Sequence, residues 1–178
     1  MKTLLHACCA PCSIECVETL RREGIEPTLY WYNPNIHPFT EYRSRKEALV
    51  SYAQSSALAY VLRDEYGLRP FLNAVPPERD RRCARCYEMR LEETARYAAE
   101  HGYEQFSTTL LISPYQNHDL LRETGDHMAQ KYCVAFLYRD FRPHFRDGQQ
   151  KARDFGLYMQ KYCGCIFSEE ERYRKKAK

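Results

Sequence analysis

The sequence has no apolar run approaching the ~18 residues that a membrane-spanning helix needs, so nothing in it reads as a membrane segment. Glycine is scarce, with seven residues, and no glycine pattern forms a nicotinamide or flavin fingerprint. No Gly/Ser linker, low-complexity tract or internal repeat divides the chain. Residues 1–178 therefore read as a single domain, long enough for one hydrophobic core. An excess of one charge is also missing: 27 Lys and Arg oppose 24 Asp and Glu, a formal net charge of +3. Charge alone is thus a weak argument for a nucleic-acid partner. The basic residues do concentrate in a short helical tail at about residues 168–178, ending Arg172-Tyr173-Arg174-Lys175-Lys176-Ala177-Lys178. Such a run is usually a solvated helix end and less often a phosphate contact. Met1 to Ala7 resembles the start of a signal peptide. Its apolar stretch is too short, however, and runs straight into Cys8 and Cys9, so the expected compartment is the cytoplasm.

What the sequence has in quantity is cysteine, nine residues in all. Structural disulfides are rare in the cytoplasm, and an odd count does not close a disulfide framework. Metal or redox chemistry is the better explanation.

Hydrophobic periodicity and turn residues place strands near residues 2–7, 28–32, 58–62, 104–108 and 133–138. Helices are predicted from Pro11 to just before Gly24, over about 42–55, over about 83–100, from Ser113-Pro114 with Gln116 at capping-box spacing, over about 145–162, and from Ser168. The alternation predicts an α/β fold with a parallel sheet and helices on both faces. Ligands of such sheets gather at the carboxyl ends of the strands. The positions to inspect are therefore Cys8, Cys9 and Cys12, then Asn33 to His37, Asp64, Thr108 to Tyr115, and Asp140 to Arg142.

Cys8-Cys9-Ala10-Pro11-Cys12 falls where the first strand turns into the first helix, whose N-terminus favours thiolates. Cys83-Ala84-Arg85-Cys86 opens another helix among arginines, with a spacing common to zinc and iron–sulfur ligands. Cys9-x-x-Cys12 alone also fits a thioredoxin-like dithiol, but Cys8 and the second pair favour metal. Four thiolates from the two groups suit a tetrahedral zinc or a cubane cluster. Their separation of about 70 residues puts the site in the functional crevice rather than in a local knuckle, which favours a catalytic cluster. Cys163-Gly164-Cys165 spans at most ~7 Å between Cα atoms, so a bridge there is strained and easily reduced. Cys133, inside an apolar strand, and Cys16, one turn after Cys12, read as core.

Six segments in order complete the pattern: Leu5-His6-Ala7-Cys8-Cys9-Ala10-Pro11-Cys12-Ser13, Tyr32-Asn33-Pro34-Asn35-Ile36-His37-Pro38, Arg82-Cys83-Ala84-Arg85-Cys86-Tyr87, Ser107-Thr108-Thr109-Leu110, Ser113-Pro114-Tyr115 and Tyr162-Cys163-Gly164-Cys165. Together they resemble the cobalamin-independent epoxyqueuosine reductases, the QueH family, over about residues 4–168. The resemblance implies a Rossmann-like, nucleotide-hydrolase-like fold. It implies reduction of epoxyqueuosine to queuosine at the tRNA wobble position, the last step of queuosine biosynthesis. It also implies a 4Fe–4S cluster on Cys8, Cys9, Cys83 and Cys86, and a redox-active disulfide from Cys163 and Cys165.

Deoxygenating an epoxide takes two electrons and two protons. A cluster passes electrons singly and a dithiol in pairs. With no cobalamin, flavin or nicotinamide expected, electrons should come from a low-potential donor such as ferredoxin or flavodoxin. Cys12 is either a spectator thiol or, with Asp64, a ligand of an additional iron acting as a Lewis acid. His37 is a candidate proton donor, and Tyr32, Tyr42 and Tyr115 are candidates to stack on the base. The rival expectation is a zinc-containing tRNA-modifying enzyme or a thiol-exchange protein of the same fold. An ATP-dependent enzyme of that kind would want glycines where Cys-Cys-Ala-Pro-Cys stands.

Overall fold

A computed structural model describes residues 1–76 and 78–174. In chain order its elements are β1 (Thr3–His6), α1 (Ala10–Arg22), β2 (Pro27–Trp31), α2 (Phe39–Ser55), β3 (Tyr60–Leu62), α3 (Leu68–Ala74), α4 (Arg79–Glu100), β4 (Gln105–Thr108), α5 (His118–Tyr132), β5 (Ala135–Phe136), α6 (Phe145–Asp154) and α7 (Ile166–Tyr173). The five strands form one parallel sheet in the order β3-β2-β1-β4-β5, the α/β arrangement read from the sequence.

β1 is central because every residue in it is buried, and it pairs on both edges: Leu5 stands opposite Leu29 of β2 and Ser107 of β4. The chain winds outward from β1 in one direction through β2 and β3, then returns past it to β4 and β5. That reversal makes the carboxyl end of β1 the topological switch point. Right-handed connections send α1 and α2 to one face and α4 and α5 to the other. The packing agrees, α1 lying against α6 and α2, and α4 against α5. The predicted stripe Ile14, Val17 and Leu20 is the buried face of α1, and Cys16 is buried with it. Among the described residues no helix is long and apolar enough to cross a membrane.

Four local expectations need correction. Residues 113–117 are not helical. Thr108 Oγ1 accepts from the Leu110 amide at 3.2 Å and starts a 3-10 turn over Thr109–Ile112, and the cap of α5 is Asn117, whose side chain accepts from the Leu120 amide at 3.1 Å. α6 stops at Asp154, since Gly156 takes φ +65° and the Gly156 and Leu157 amides turn back to Arg153 and Ala152. Cys133 is neither in a strand nor in the core: it is the exposed residue ending α5 at φ +53°. The last helix begins at Ile166, two residues before Ser168, with Cys165 as its cap. It ends at Tyr173, and residues 175–178 of the predicted basic tail lie outside the described residues.

Candidate functional site

The site begins where β1 runs out. The Cys8 amide donates to Thr109 Oγ1 at 3.1 Å, tying the end of β1 to the turn after β4. Cys9 is the cap of α1: its extended backbone leaves Sγ free to accept from the Cys12 amide at 3.4 Å, and Pro11 sits in the first turn. The three sulfurs of Cys8, Cys9 and Cys12 all lie within 4.8 Å of one another and are buried. Hydrogen bonds from Cys12 and Cys9 hold the Cys8 thiol well below its usual range, against burial. Burial pushes Cys9 up, and Cys12 is raised by its bonds to Cys8 and Cys9. The trio thus carries one stabilised thiolate and two thiols whose protons a bound cation would displace.

Cys83 and Cys86 lie in the first two turns of α4, three residues apart and therefore on one helix face. Burial raises the Cys86 thiol to about 11. Both line a cavity of about 770 Å³, whose wall also includes Cys8 and Cys12 and, from the C-terminal segment, Cys163 and Cys165. The fold therefore brings three cysteine groups, distant in sequence, to one space at the switch point.

The C-terminal pair is fixed by its backbone. Arg45, 2% exposed, donates from Nε to Glu41 at 2.6 Å, from one terminal nitrogen to the Cys163 carbonyl at 3.1 Å and from the other to the Tyr162 carbonyl at 2.8 Å. Glu41 also accepts from Tyr158 Oη. The His37 amide donates to the Gly164 carbonyl at 2.8 Å. The hydrogen bond from Cys165 holds the Cys163 thiol well below its usual range, with Ser168 Oγ 3.2 Å from its sulfur, while Cys165 is raised by the same pairing. Gly164 takes φ +134°, and a Cβ there would meet Ile36 at 3.2 Å and the Arg45 guanidinium at 3.3 Å. Gly164→Ala is accordingly expected to cost about 1–3 kcal/mol, the range for backbone strain of this kind. A lower denaturant midpoint would register it. An unchanged midpoint would mean that the segment shifts without strain.

Other sequence-predicted residues are placed differently. His37 is fully buried and outside the cavity wall. Its Nε2 lies 2.8 Å from the Pro34 carbonyl, and its Nδ1 accepts from the Ile166 amide at 3.3 Å. Burial lowers it to about 4. The ring thus joins the loop after β2 to the start of α7, with its ring nitrogens turned to backbone groups and away from the cavity. Asp64 accepts from Lys46 at 2.5 Å and Tyr42 at 2.8 Å, outside the cavity wall, so the carboxylate expected beside Cys12 is taken. Tyr42 is core, and Tyr32 packs beneath Arg63 at 4.9 Å. Tyr115 is 80% exposed on the cavity rim, edge-on to Phe145 at 6.0 Å.

Arg45, Arg90 and Gln160 are among the wall residues not singled out from the sequence. Gln160 Nε2 donates to Cys9 Sγ at 2.9 Å and to Cys12 Sγ at 3.5 Å. The only available signal was for Arg90, which lies four residues after Cys86 and so on its helix face.

As a holder of metal, the site offers a buried trio of sulfurs, with an amide donor on them, and the α4 pair on the wall that Cys8 and Cys12 also line. Soft thiolates of this number fit an iron–sulfur cluster or zinc.

The family described as epoxyqueuosine reductase QueH matches residues 3–171. A relative of that description from Dehalococcoides mccartyi is 40% identical over 174 residues, covering 98% of this chain and 96% of its own. One from Thermotoga maritima is 37% identical, covering 98% and 93%, and one from Haemophilus influenzae is 37% identical, covering 94% and 71%. Among solved structures, a deacetylase from the biosynthesis pathway of teicoplanin superposes with a TM-score of 0.53 at 10% identity, over 86% of this chain and 83% of that one. That likeness is one of fold alone.

Proposed function

This chain belongs to the epoxyqueuosine reductase QueH family, a family of oxidoreductases in queuosine biosynthesis, and on that premise we propose that it removes the epoxide oxygen of epoxyqueuosine at the wobble position of tRNA to leave queuosine. The observation that carries this reading is the convergence of three cysteine groups on one cavity at the carboxyl end of the central strand.

The chemistry balances with the residues present. Deoxygenation consumes two electrons and two protons, breaks two C–O bonds, forms the C=C bond and releases water. Oxidation of the Cys163 and Cys165 pair to a disulfide supplies both electrons, the Cys165 thiol gives one proton and water the other, so one dithiol serves one epoxide. The lowered Cys163 holds the thiolate and the raised Cys165 keeps a proton, which divides the two roles. Arg45 and Gly164 hold that pair at the wall. Cys8, Cys9, Cys83 and Cys86 would hold a 4Fe–4S cluster, which supplies single low-potential electrons when bound. A ferredoxin- or flavodoxin-like donor would restore the dithiol between turnovers. The cytoplasm is the compartment in this reading, because the pair must be re-reduced between turnovers. Cys12 serves as a thiol beside the ligands. Tyr115 with Phe145 offers an aromatic surface at the rim for an anticodon base, which can be splayed out of its loop without opening a duplex.

The test is anaerobic incubation of iron- and sulfide-loaded protein with epoxyqueuosine-containing tRNA and a chemical reductant, followed by nucleoside analysis. Queuosine is expected. Loaded, reduced protein that leaves the epoxide intact would sink the reading, and full activity from iron-free, zinc-bound protein would replace the cluster with zinc.

A further inference from the structure

Three arginines of the cavity wall are almost fully buried, and two of them have carboxylate partners. Arg45 pairs with Glu41 at 2.6 Å and Arg82 with Glu171 at 2.9 Å. Arg90 is 4% exposed and has no carboxylate within ion-pair distance among the described residues. Its Nε donates to the Cys86 carbonyl one turn back at 3.2 Å, and the guanidinium lies 5.9 Å from the Tyr87 ring centroid. A buried cation left without an anion is strongly unfavourable, so a fold keeps one only where negative charge is supplied.

The neighbours show where that charge must come from. Arg90 lines the same cavity wall as Cys8, Cys12, Cys83, Cys86, Cys163 and Cys165, and Cys86 lies one turn before it on α4. His6, at the end of β1, supplies no anion, its ring lying between Thr108 Oγ1 at 2.9 Å and the Tyr32 carbonyl at 3.1 Å. Arg90 therefore shares one wall with the α4 cysteines and the β1 cysteines, whose thiolates are a source of negative charge in that wall.

We propose that Arg90 is the built-in counter-cation of the cysteine-held centre, a positioning residue whose charge steadies the thiolates of that wall and makes the centre easier to reduce. The inference rests on the reading that these cysteines hold an iron–sulfur cluster. Each electron added to such a centre adds negative charge. A fixed positive charge in a poorly solvated wall stabilises the reduced form more than the oxidised one and raises the potential.

The experiment compares holoenzyme of wild type, Arg90→Lys and Arg90→Gln, purified anaerobically, by iron and sulfide content and by mediated redox titration of the cluster signal. For Arg90→Gln, the ratio of reduced to oxidised cluster at the wild-type midpoint should fall at least tenfold, about 59 mV for a one-electron couple. Arg90→Lys should stay within threefold of wild type. Folded Arg90→Gln protein that cannot retain the cluster, beside a loaded Arg90→Lys at wild-type potential, also supports the proposal. A fully loaded Arg90→Gln protein at unchanged potential overturns it, as does a shift in Arg90→Lys as large as that in Arg90→Gln. Where Arg90→Gln does not fold, the Arg90→Lys potential decides by the same threefold limit. Wild-type protein without iron and sulfide would refute the cluster reading itself, a separate outcome.

Discussion

Replacing any one of Cys8, Cys9, Cys83 or Cys86 with serine is expected to remove reductase turnover and to lower iron and sulfide content together. Substitutions beside a metal site already cost about 10–100-fold, so loss of a ligand should exceed roughly 100-fold. Serine replaces a soft sulfur with a hard, protonated oxygen at nearly constant shape. The variants are informative because the fold should survive them. Serine is a good N-cap, so Cys9→Ser keeps the start of α1, and Cys83 lies on the cavity wall rather than in the buried core. Two other cysteines serve as controls. Cys133→Ser, at an exposed helix end, should change neither iron nor turnover. Cys16→Ser buries a hydroxyl in a site with 0% exposure and should lower stability by about 1–3 kcal/mol while leaving the iron in place. Full iron and turnover in Cys83→Ser or Cys86→Ser would rule out the four-cysteine ligand set.

These cysteines were legible because their positions follow from the simplest signals in the chain. A short apolar strand that is buried on both faces must be central. The residues at its carboxyl end then lie at the switch point, whatever the rest of the sheet does. The same rule pointed to Asp64 and His37, and there it found the loops but not the side-chain directions. Lys46, four residues after Tyr42 on α2, reaches Asp64 with Tyr42, and the His37 ring turns toward two backbone groups. Sequence order carries no information on such captures, since the partners come from elements up to 129 residues away. Local chemistry also misled where two caps competed. Ser113-Pro114 satisfies the rules for a helix start, but the tight turn after β4 uses up residues 109–112 and leaves Asn117 to cap α5. α3 escaped notice because seven residues with Pro70 among them show no helical period. Arg45 and Arg90 escaped because an arginine on a charged helix reads as surface, and only the packing of α2 and α4 against the cavity turns them inward.

Serine at Cys163 or at Cys165 is expected to lower turnover by roughly 10⁴–10⁶-fold, the range for losing members of an essential catalytic group, with iron and sulfide unchanged. That combination separates the pair from the cluster ligands. The two thiols should also differ from each other. Cys163 is exposed and its thiolate is stabilised, so alkylation of the reduced protein near neutral pH should mark Cys163 first. Cys165 is buried, caps α7 through the Ser168 amide at 3.4 Å and has a raised thiol, so it should react later. Serine can replace it as a cap, so loss of turnover in Cys165→Ser would report the missing sulfur and not a frayed helix. A single turnover adds the decisive measurement. Wild-type protein with a reduced dithiol and no added donor should convert up to one epoxide per chain, since one dithiol carries two electrons, whereas either serine variant should convert none. Conversion by both serine variants at the wild-type level would mean that electrons reach the substrate without a dithiol store, and the Cys-Gly-Cys segment would then be a structural feature of the wall.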